Sequence, residues 1–323
     1  MDTTVIQTLL KEGAELHLAG NLADAERCYR QALELDDSSA VAHNNLAFLL
    51  MQRREFEGAE QAYQRAIALS PAYATAYTNL GQAYLLMQRW EEAYEYLTRA
   101  TELDNNAWHA YESLAKLAML HNENDRAVSY WTIANRIQPN QENLLNLAHC
   151  LIQQRRLDEA RDVLTLAADY DDEHARLHAL FGIITFAQYD FGSARKHFKR
   201  ALGLEPENAE VRHNLAMTYL KTGQREEAVM ELRRILLLAP GHIEARNNLA
   251  VIELAAGEPG SALEHFNLTL EQDPGNSKAL YYKGLLLLQQ GKTEAARELL
   301  KKTVVAAPGE YQAQAESLLS TLP

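Results

Sequence analysis

The sequence is poor in cysteine and has no long apolar run, and both features limit what the chain can be. Its two cysteines, Cys28 and Cys150, are far apart in sequence, which argues against a disulfide framework and favours a reducing compartment. No apolar run approaches the length of a membrane span. Residues 1–4 lack the charged and apolar regions of a signal peptide. We therefore expect a cytoplasmic protein with no direct membrane insertion.

The chain also lacks an excess of basic residues. Asp and Glu number 44 against 31 Lys and Arg, which gives a formal net charge of −13. A surface that follows nucleic-acid phosphates needs clustered Lys and Arg side chains. We therefore expect no nucleic-acid partner.

Motifs that carry chemistry are missing as well. The sequence has no P-loop, no dinucleotide-binding fingerprint and no HExxH run. His174 and His178 are four residues apart, a spacing that can hold a metal ion, but two histidines at this spacing are common by chance. We expect a chain that is not an enzyme, with no catalytic residue, no cofactor and no metal site.

What the sequence does contain is a repeat, marked by nine alanines in register. Seven of the eight intervals between them are 34 residues, and the interval from Ala127 to Ala160 is 33. A period of this length indicates one supersecondary unit that is copied and stacked. The alanines are Ala25, Ala59, Ala93, Ala127, Ala160, Ala194, Ala228, Ala262 and Ala296.

Each unit has the pattern of two helices joined by short turns. Four residues after each alanine stands a bulky side chain, such as Tyr29 or Trp131, and a small residue such as Gly13 or Ala47 recurs in the preceding helix. This pairing predicts close contact between the two helices of a unit. Prolines that cannot continue the second helix stand twelve residues after the alanine, at Pro71, Pro139, Pro206, Pro240, Pro274 and Pro308.

The pattern resembles the tetratricopeptide repeat family. Unit seven carries it in Leu215, Ala216, Tyr219, Gly223, Ala228, Leu232 and Pro240. The resemblance implies an all-α fold, a right-handed α-solenoid of nine helix-turn-helix repeats in residues 1–310, whose first helices line the concave face. It implies no single function. The predicted repeats are 6–39, 40–73, 74–107, 108–140, 141–174, 175–208, 209–242, 243–276 and 277–310, followed by a capping helix in 311–323.

The repeat has two departures near its middle. Unit four is one residue short, and unit five has acidic residues at 171–173, where six of the nine units have proline. These departures indicate either a kink between a front half of four units and a back half, or a tolerated deletion without consequence.

One position of the first helix carries asparagine in five of the nine units. Asparagine is unfavourable inside a helix, so its recurrence suggests a use. Its amide has both donors and an acceptor and can pair with the N–H and the C=O of an extended peptide. We call this set the asparagine ladder: Asn45, Asn79, Asn146, Asn214 and Asn248.

The asparagine ladder is similar to that in the repeat region of O-linked N-acetylglucosamine transferases. There the amides hold peptide backbone, so the resemblance implies the same role for these five residues. The chain has no glycosyltransferase domain, and only the binding mode carries over. The alternative is that the asparagines bond to neighbouring helices and set the pitch of the superhelix.

Apolar side chains follow the asparagine ladder along the same helices. An exposed apolar surface marks an interaction site, and methionine adapts to varied partners. The alternative is that these side chains pack against the next repeat. We call them the apolar row: Phe48, Met51, Leu85, Met119, Ile152, Phe186 and Met217.

These observations predict a non-enzymatic scaffold or adaptor for protein–protein interaction. The asparagine ladder and the apolar row are its predicted peptide-binding residues, for an extended or helical segment in the concave groove. Two alternatives remain open: a self-assembling platform, which would be a homo-oligomer, or a regulatory subunit of a separate enzyme.

Overall fold

The computed structural model describes residues 3–306 and 309–322. Within these residues the chain forms nineteen α-helices and no β-strand. The first helices of the nine pairs are α1 (Thr3–Leu18), α3 (Ala40–Gln52), α5 (Ala74–Leu86), α7 (Trp108–Leu120), α9 (Gln141–Gln153), α11 (Ala175–Ala187), α13 (Ala209–Lys221), α15 (Ile243–Ala255) and α17 (Ser277–Gln289). The second helices are α2 (Leu22–Leu35), α4 (Phe56–Leu69), α6 (Trp90–Leu103), α8 (Asn124–Ile137), α10 (Leu157–Ala168), α12 (Phe191–Leu204), α14 (Arg225–Leu238), α16 (Pro259–Gln272) and α18 (Thr293–Ala306). The prediction of an all-α chain of repeated helix pairs is confirmed.

The last described helix, α19 (Glu310–Thr321), covers most of the segment predicted to cap the array. It packs against α17 and α18. On α19, the side chain of Ala315 is fully buried.

The two helices of each pair meet through the residues that define the repeat. All nine register alanines are fully buried, and the bulky side chains four residues later are buried with them. A Cβ added to Gly182 would lie 2.5 Å from the Phe198 ring, and one added to Gly81 would lie 2.6 Å from Leu97. The helices therefore approach more closely at these glycines than a larger residue permits.

Contacts divide the chain into two compact units, Met1–Asp172 and Glu173–Pro323. Inside each unit a second helix packs on its own first helix and on the first helix of the next pair. The division falls in the turn after α10, where acidic residues stand in place of proline. The kink that is one interpretation of the sequence departures lies one repeat earlier, after unit four.

The turns between repeats begin and end as the sequence pattern predicts. Pro71, Pro139, Pro206, Pro240 and Pro274 all lie outside the helices, and Pro308 lies outside the described residues. Side chains that accept a hydrogen bond from the first turn start several first helices, namely Ser39, Asn140, Asn208, His242 and Asn276.

The turn inside each repeat needs a residue with left-handed backbone conformation. Gly20, Gly223, Gly257 and Gly291 occupy this position with φ between 74° and 84°, which suits a residue without Cβ at a helix C-terminus. Five other repeats place a residue with a side chain there, which costs about 1–2 kcal/mol at most positions. These are Arg54, Gln88, Asn122, Arg155 and Tyr189.

We expect Arg155→Gly to raise the free energy of unfolding by about 1 kcal/mol, because it removes the Cβ clash at φ 61°. Gly223→Ala should lower it by a similar amount. Asn122→Gly is the matched control and should change it less, since asparagine tolerates this conformation. Urea unfolding followed by circular dichroism measures all three, and equal effects of Arg155→Gly and Asn122→Gly would contradict the backbone explanation.

Candidate functional site

The asparagine ladder lies where neighbouring first helices meet. Its members stand on α3, α5, α9, α13 and α15, and every one of the five side chains is half-buried. In each of the two units, the first-helix face is the surface that the first helices present on the side away from the second helices. A half-buried amide can bond to an adjacent helix and still offer polar atoms to solvent.

In the second and third repeats, side-chain hydrogen bonds connect ladder residues on neighbouring first helices. The Asn79 Nδ2 group donates to Asn44 Oδ1 at 2.9 Å, and Asn44 Nδ2 donates to Asn45 Oδ1 at 3.2 Å. Asn44 is buried and stands directly before the ladder position of its own helix. Two ladder residues are thereby connected through one buried amide.

The same arrangement recurs near the other end of the chain. Asn248 Nδ2 lies 2.8 Å from His213 Nε2, and Lys278 Nζ donates to Asn248 Oδ1 at 2.5 Å. His213 is the residue directly before Asn214, so it corresponds to Asn44. The Asn248 amide therefore joins three successive first helices, α13, α15 and α17.

The protonation of His213 fits this bond. Burial, and secondly the nearby His242 ring at 5.8 Å, lower the pKa of His213. The imidazole is therefore neutral at neutral pH, and its Nε2 can accept the Asn248 N–H.

The sequence pattern predicts the ladder position but not the hydrogen bonds that Asn44, His213 and Lys278 make to it. The signal that could have found the first two is the offset of 35 residues from Asn44 to Asn79 and from His213 to Asn248. This offset is one repeat plus one residue, so the partner stands next to the ladder position of the preceding repeat.

The apolar row is divided between surface and packing. Phe48 is 44% exposed, and its ring lies 5.3 Å from that of His17. Leu85, Met119, Ile152, Phe186 and Met217 are half-buried. The Met119 sulfur accepts the Trp131 indole N–H at 3.2 Å, and the Phe186 ring meets that of Phe191 at 5.4 Å.

Met51 differs from the sequence-based expectation of a groove-facing side chain. It is only 9% exposed and belongs to the core formed around Leu49, Leu50 and Tyr84. It stands in the last turn of α3, where the helix is covered by its neighbours. Met51 therefore offers little surface to a partner as the chain stands.

Features that would support chemistry are sparse in the part of the chain that the structure describes. No three His, Cys, Asp or Glu side chains there come together in a way that could hold a metal ion. Cys28 and Cys150 are both buried, and burial raises the pKa of the Cys28 thiol. Across residues 3–306 and 309–322, no helix has the length and apolar character to cross a membrane.

Several solved structures have folds similar to that of this chain. The APC/C hetero-tetramer Cut9–Hcn1 aligns with a TM-score of 0.59 and 22% identity, over 87% of this chain and 55% of that chain. This chain thus spans little more than half the length of that relative. Pseudomonas aeruginosa pilF aligns at 0.60 and 25% identity, over 66% of this chain and 97% of the other. PilW, a type IV pilus biogenesis factor, aligns at 0.58 and 21% identity, over 64% and 96%.

Family models place the repeats directly on the sequence. A tetratricopeptide repeat model matches residues 132–181, 185–252 and 253–322. Two further models, described as TPR repeat and tetratricopeptide repeat, match residues 49–88 and 74–106. No curated protein sequence matches the chain. The matches cover more than half of its length, and the chain belongs to the tetratricopeptide repeat family.

Proposed function

We propose that the chain is a non-catalytic scaffold whose first-helix face binds a peptide segment of a partner protein. Proteins of this family generally mediate protein–protein interactions, and the fold is typically a non-catalytic one. In the proposal the asparagine ladder pairs with the peptide backbone, and the exposed parts of the apolar row contact its side chains.

The observation that carries the proposal is the unused bonding capacity of two half-buried ladder amides, those of Asn79 and Asn214. Asn79 uses one N–H in its bond to Asn44, which leaves its second N–H and its Oδ1 for a ligand. The Asn214 side chain makes no hydrogen bond within the described residues. The bonds of Asn79 and Asn248 to neighbouring first helices are those that the alternative role, in helix packing, expects. In the proposal they also fix the orientation of the amides before a peptide arrives.

Hydrogen-bond free energies limit how much the asparagine ladder can contribute to the binding affinity. A net hydrogen bond contributes about 0.5–1.5 kcal/mol, so five amides supply about 2.5–7.5 kcal/mol before ordering costs. Micromolar binding needs about 8 kcal/mol. The apolar row must therefore add to the affinity, and Phe48 is its most exposed member.

The experiment combines Asn79→Ala, Asn146→Ala and Asn214→Ala in the full chain. The probe is a peptide selected from a random library on the unaltered protein. Three lost hydrogen bonds amount to about 1.5–4.5 kcal/mol, so we expect the peptide to bind at least about tenfold more weakly, with helicity unchanged by circular dichroism.

The matched control is Gln61→Ala with Gln64→Ala, which removes two exposed amides from the second helix α4. This control should leave the affinity within about twofold of the parent, because α4 lies outside the first-helix face. Unchanged affinity of the triple variant for every selected peptide would refute binding through the ladder.

A second candidate, self-assembly, is favoured by exposed apolar side chains on α14. Met230 is 62% exposed and Leu237 is 80% exposed, and such residues in contiguous patches mark contact surfaces. Light scattering across a concentration series distinguishes the candidates. A mass that stays that of one chain at high concentration rejects self-assembly, and a mass that rises and returns to one chain in Met230→Gln/Leu237→Gln supports it.

A further inference from the structure

Two cavities with aromatic walls lie beside α6, the second helix of repeat three. One, of about 270 Å³, lies among α6, α7 and α8 and is lined by Trp90 and Tyr130. The other, of about 630 Å³, lies among α4, α5 and α6 and is lined by Tyr77 and Tyr96. Tyr94 of α6 lines both. We call this region the Tyr94 surface; it shares no residue with the asparagine ladder or the apolar row.

The first cavity has a net negative lining. It contains the carboxylates of Glu91 and Glu123 and one guanidinium, that of Arg126. Arg126 Nη1 pairs with Glu123 Oε2 at 2.8 Å. Glu91 has no ion pair within the described residues, and its charge is available to a ligand.

The second cavity repeats this balance of charges. It is lined by Glu95 and Glu102 together with Arg99. Arg99 Nη1 pairs with Glu102 Oε2 at 2.9 Å, so in the described part of the chain Glu95 is the carboxylate without an ion pair. Each cavity thus combines exposed tyrosine with one uncompensated negative charge.

The chain itself places a cation against this surface. The Arg126 guanidinium carbon lies 5.9 Å from the centroid of the Tyr94 ring, within the range of a cation–π contact. The flat ring of Tyr94 is 39% exposed, which leaves room for further cations. Aromatic rings beside carboxylates are the surroundings that arginine and lysine side chains favour.

We propose that the Tyr94 surface binds a basic segment of a partner protein, with one arginine or lysine side chain entering each cavity. The two cavities lie on opposite sides of α6, so the segment crosses this helix at Tyr94. The carboxylates of Glu91 and Glu95 pair with the two cations, and the tyrosine rings cover their apolar stems. This site is separate from the first-helix face and does not depend on peptide binding there.

The test uses the full chain and a flexible peptide in which arginine alternates with glycine and serine. Its control peptide carries citrulline, which keeps the shape and removes the charge, at every arginine. We expect the arginine peptide to bind and the citrulline peptide not to bind. Tyr94→Ala should weaken binding of the arginine peptide about tenfold, while Tyr94→Phe should keep it within about twofold, because the ring face remains.

Charge variants separate local recognition from general attraction to an acidic protein. Glu91→Gln with Glu95→Gln should weaken binding about tenfold. Glu226→Gln with Glu271→Gln changes the net charge equally at exposed sites elsewhere and should stay within about twofold of the parent. Equal weakening by the two pairs would overturn the proposal, as would unchanged binding by Tyr94→Ala. The Asn79, Asn146 and Asn214 triple variant should bind the arginine peptide like the parent, so this site and the ladder fail or succeed independently.

Discussion

Trp131→Ala is expected to lower the free energy of unfolding by about 3–5 kcal/mol. Trp131 is fully buried on α8, and its indole N–H donates to the Met119 sulfur at 3.2 Å. Alanine leaves a cavity between the two helices of repeat four. Ala115 and Ala127 are already fully buried in the same pair, so the helices have little freedom to close the gap. Urea unfolding monitored by circular dichroism measures the loss.

Two control variants test whether burial and the size of the removed side chain set the loss of stability. Trp108→Ala removes a half-buried indole at the start of α7, whose ring is tilted by 30° against that of His109 with centroids 3.4 Å apart. About 1 kcal/mol should be lost. Trp131→Phe keeps an aromatic ring and should cost less than Trp131→Ala. Similar losses for Trp131→Ala and Trp108→Ala would mean that burial does not set the cost.

The destabilisation caused by Trp131→Ala should also be confined to the repeats around α8. A repeat in a stacked array contacts its neighbours and little else, so the cavity should increase hydrogen exchange in α7 and α8 and in the flanking helices. Helices α17 and α18, several repeats away, should exchange as in the parent. Uniform acceleration along the whole chain would indicate global cooperativity instead.

The core of this fold can be predicted from sequence because small and bulky residues alternate at fixed positions of each repeat. Ala25 and Tyr29, or Ala194 and Phe198, recur at a fixed spacing, and both members of each pair are buried. The left-handed turn residues are harder to predict. A glycine such as Gly223 indicates a left-handed turn by its residue type, whereas Arg155 at the same position does not. At Arg155 the packing of the two helices imposes the turn.

The candidate site is predictable in position and less so in contacts. The period of the repeat places Asn79 and Asn248 on the first-helix face, and their half-burial fits that placement. Their partners Asn44 and His213 depend on the separation of adjacent first helices, which the sequence does not encode locally. Met51 shows the same limit, because coverage by neighbouring helices decides its burial.

The sequence also gives no warning of two buried arginines, Arg212 on α13 and Arg246 on α15. Both side chains reach back to the carbonyl of the proline in the preceding turn, Pro206 and Pro240 respectively. A buried charge is costly unless it is paired. Arg212 Nη1 meets this need by pairing with Glu231 Oε2 of α14 at 2.5 Å.

Glu231→Met is expected to lower the free energy of unfolding by about 3–5 kcal/mol, because it leaves the buried Arg212 guanidinium without a counter-charge. The double variant Arg212→Met/Glu231→Met should recover most of this loss, since apolar side chains of similar volume replace both charges. About 1 kcal/mol should remain lost for the Pro206 carbonyl, which no longer has its donor. Urea unfolding of the two variants and the single Arg212→Met variant completes the cycle.

An exposed ion pair is the control that tests whether burial of the charge causes the loss of stability. Lys302 and Glu298 of α18 lie 3.2 Å apart with both side chains more than half exposed, and such pairs contribute about 0–1 kcal/mol. Glu298→Met should therefore cost little. If Glu231→Met cost no more than Glu298→Met, or if the double variant were less stable than Glu231→Met, the buried pair would not be what holds α13 against α14.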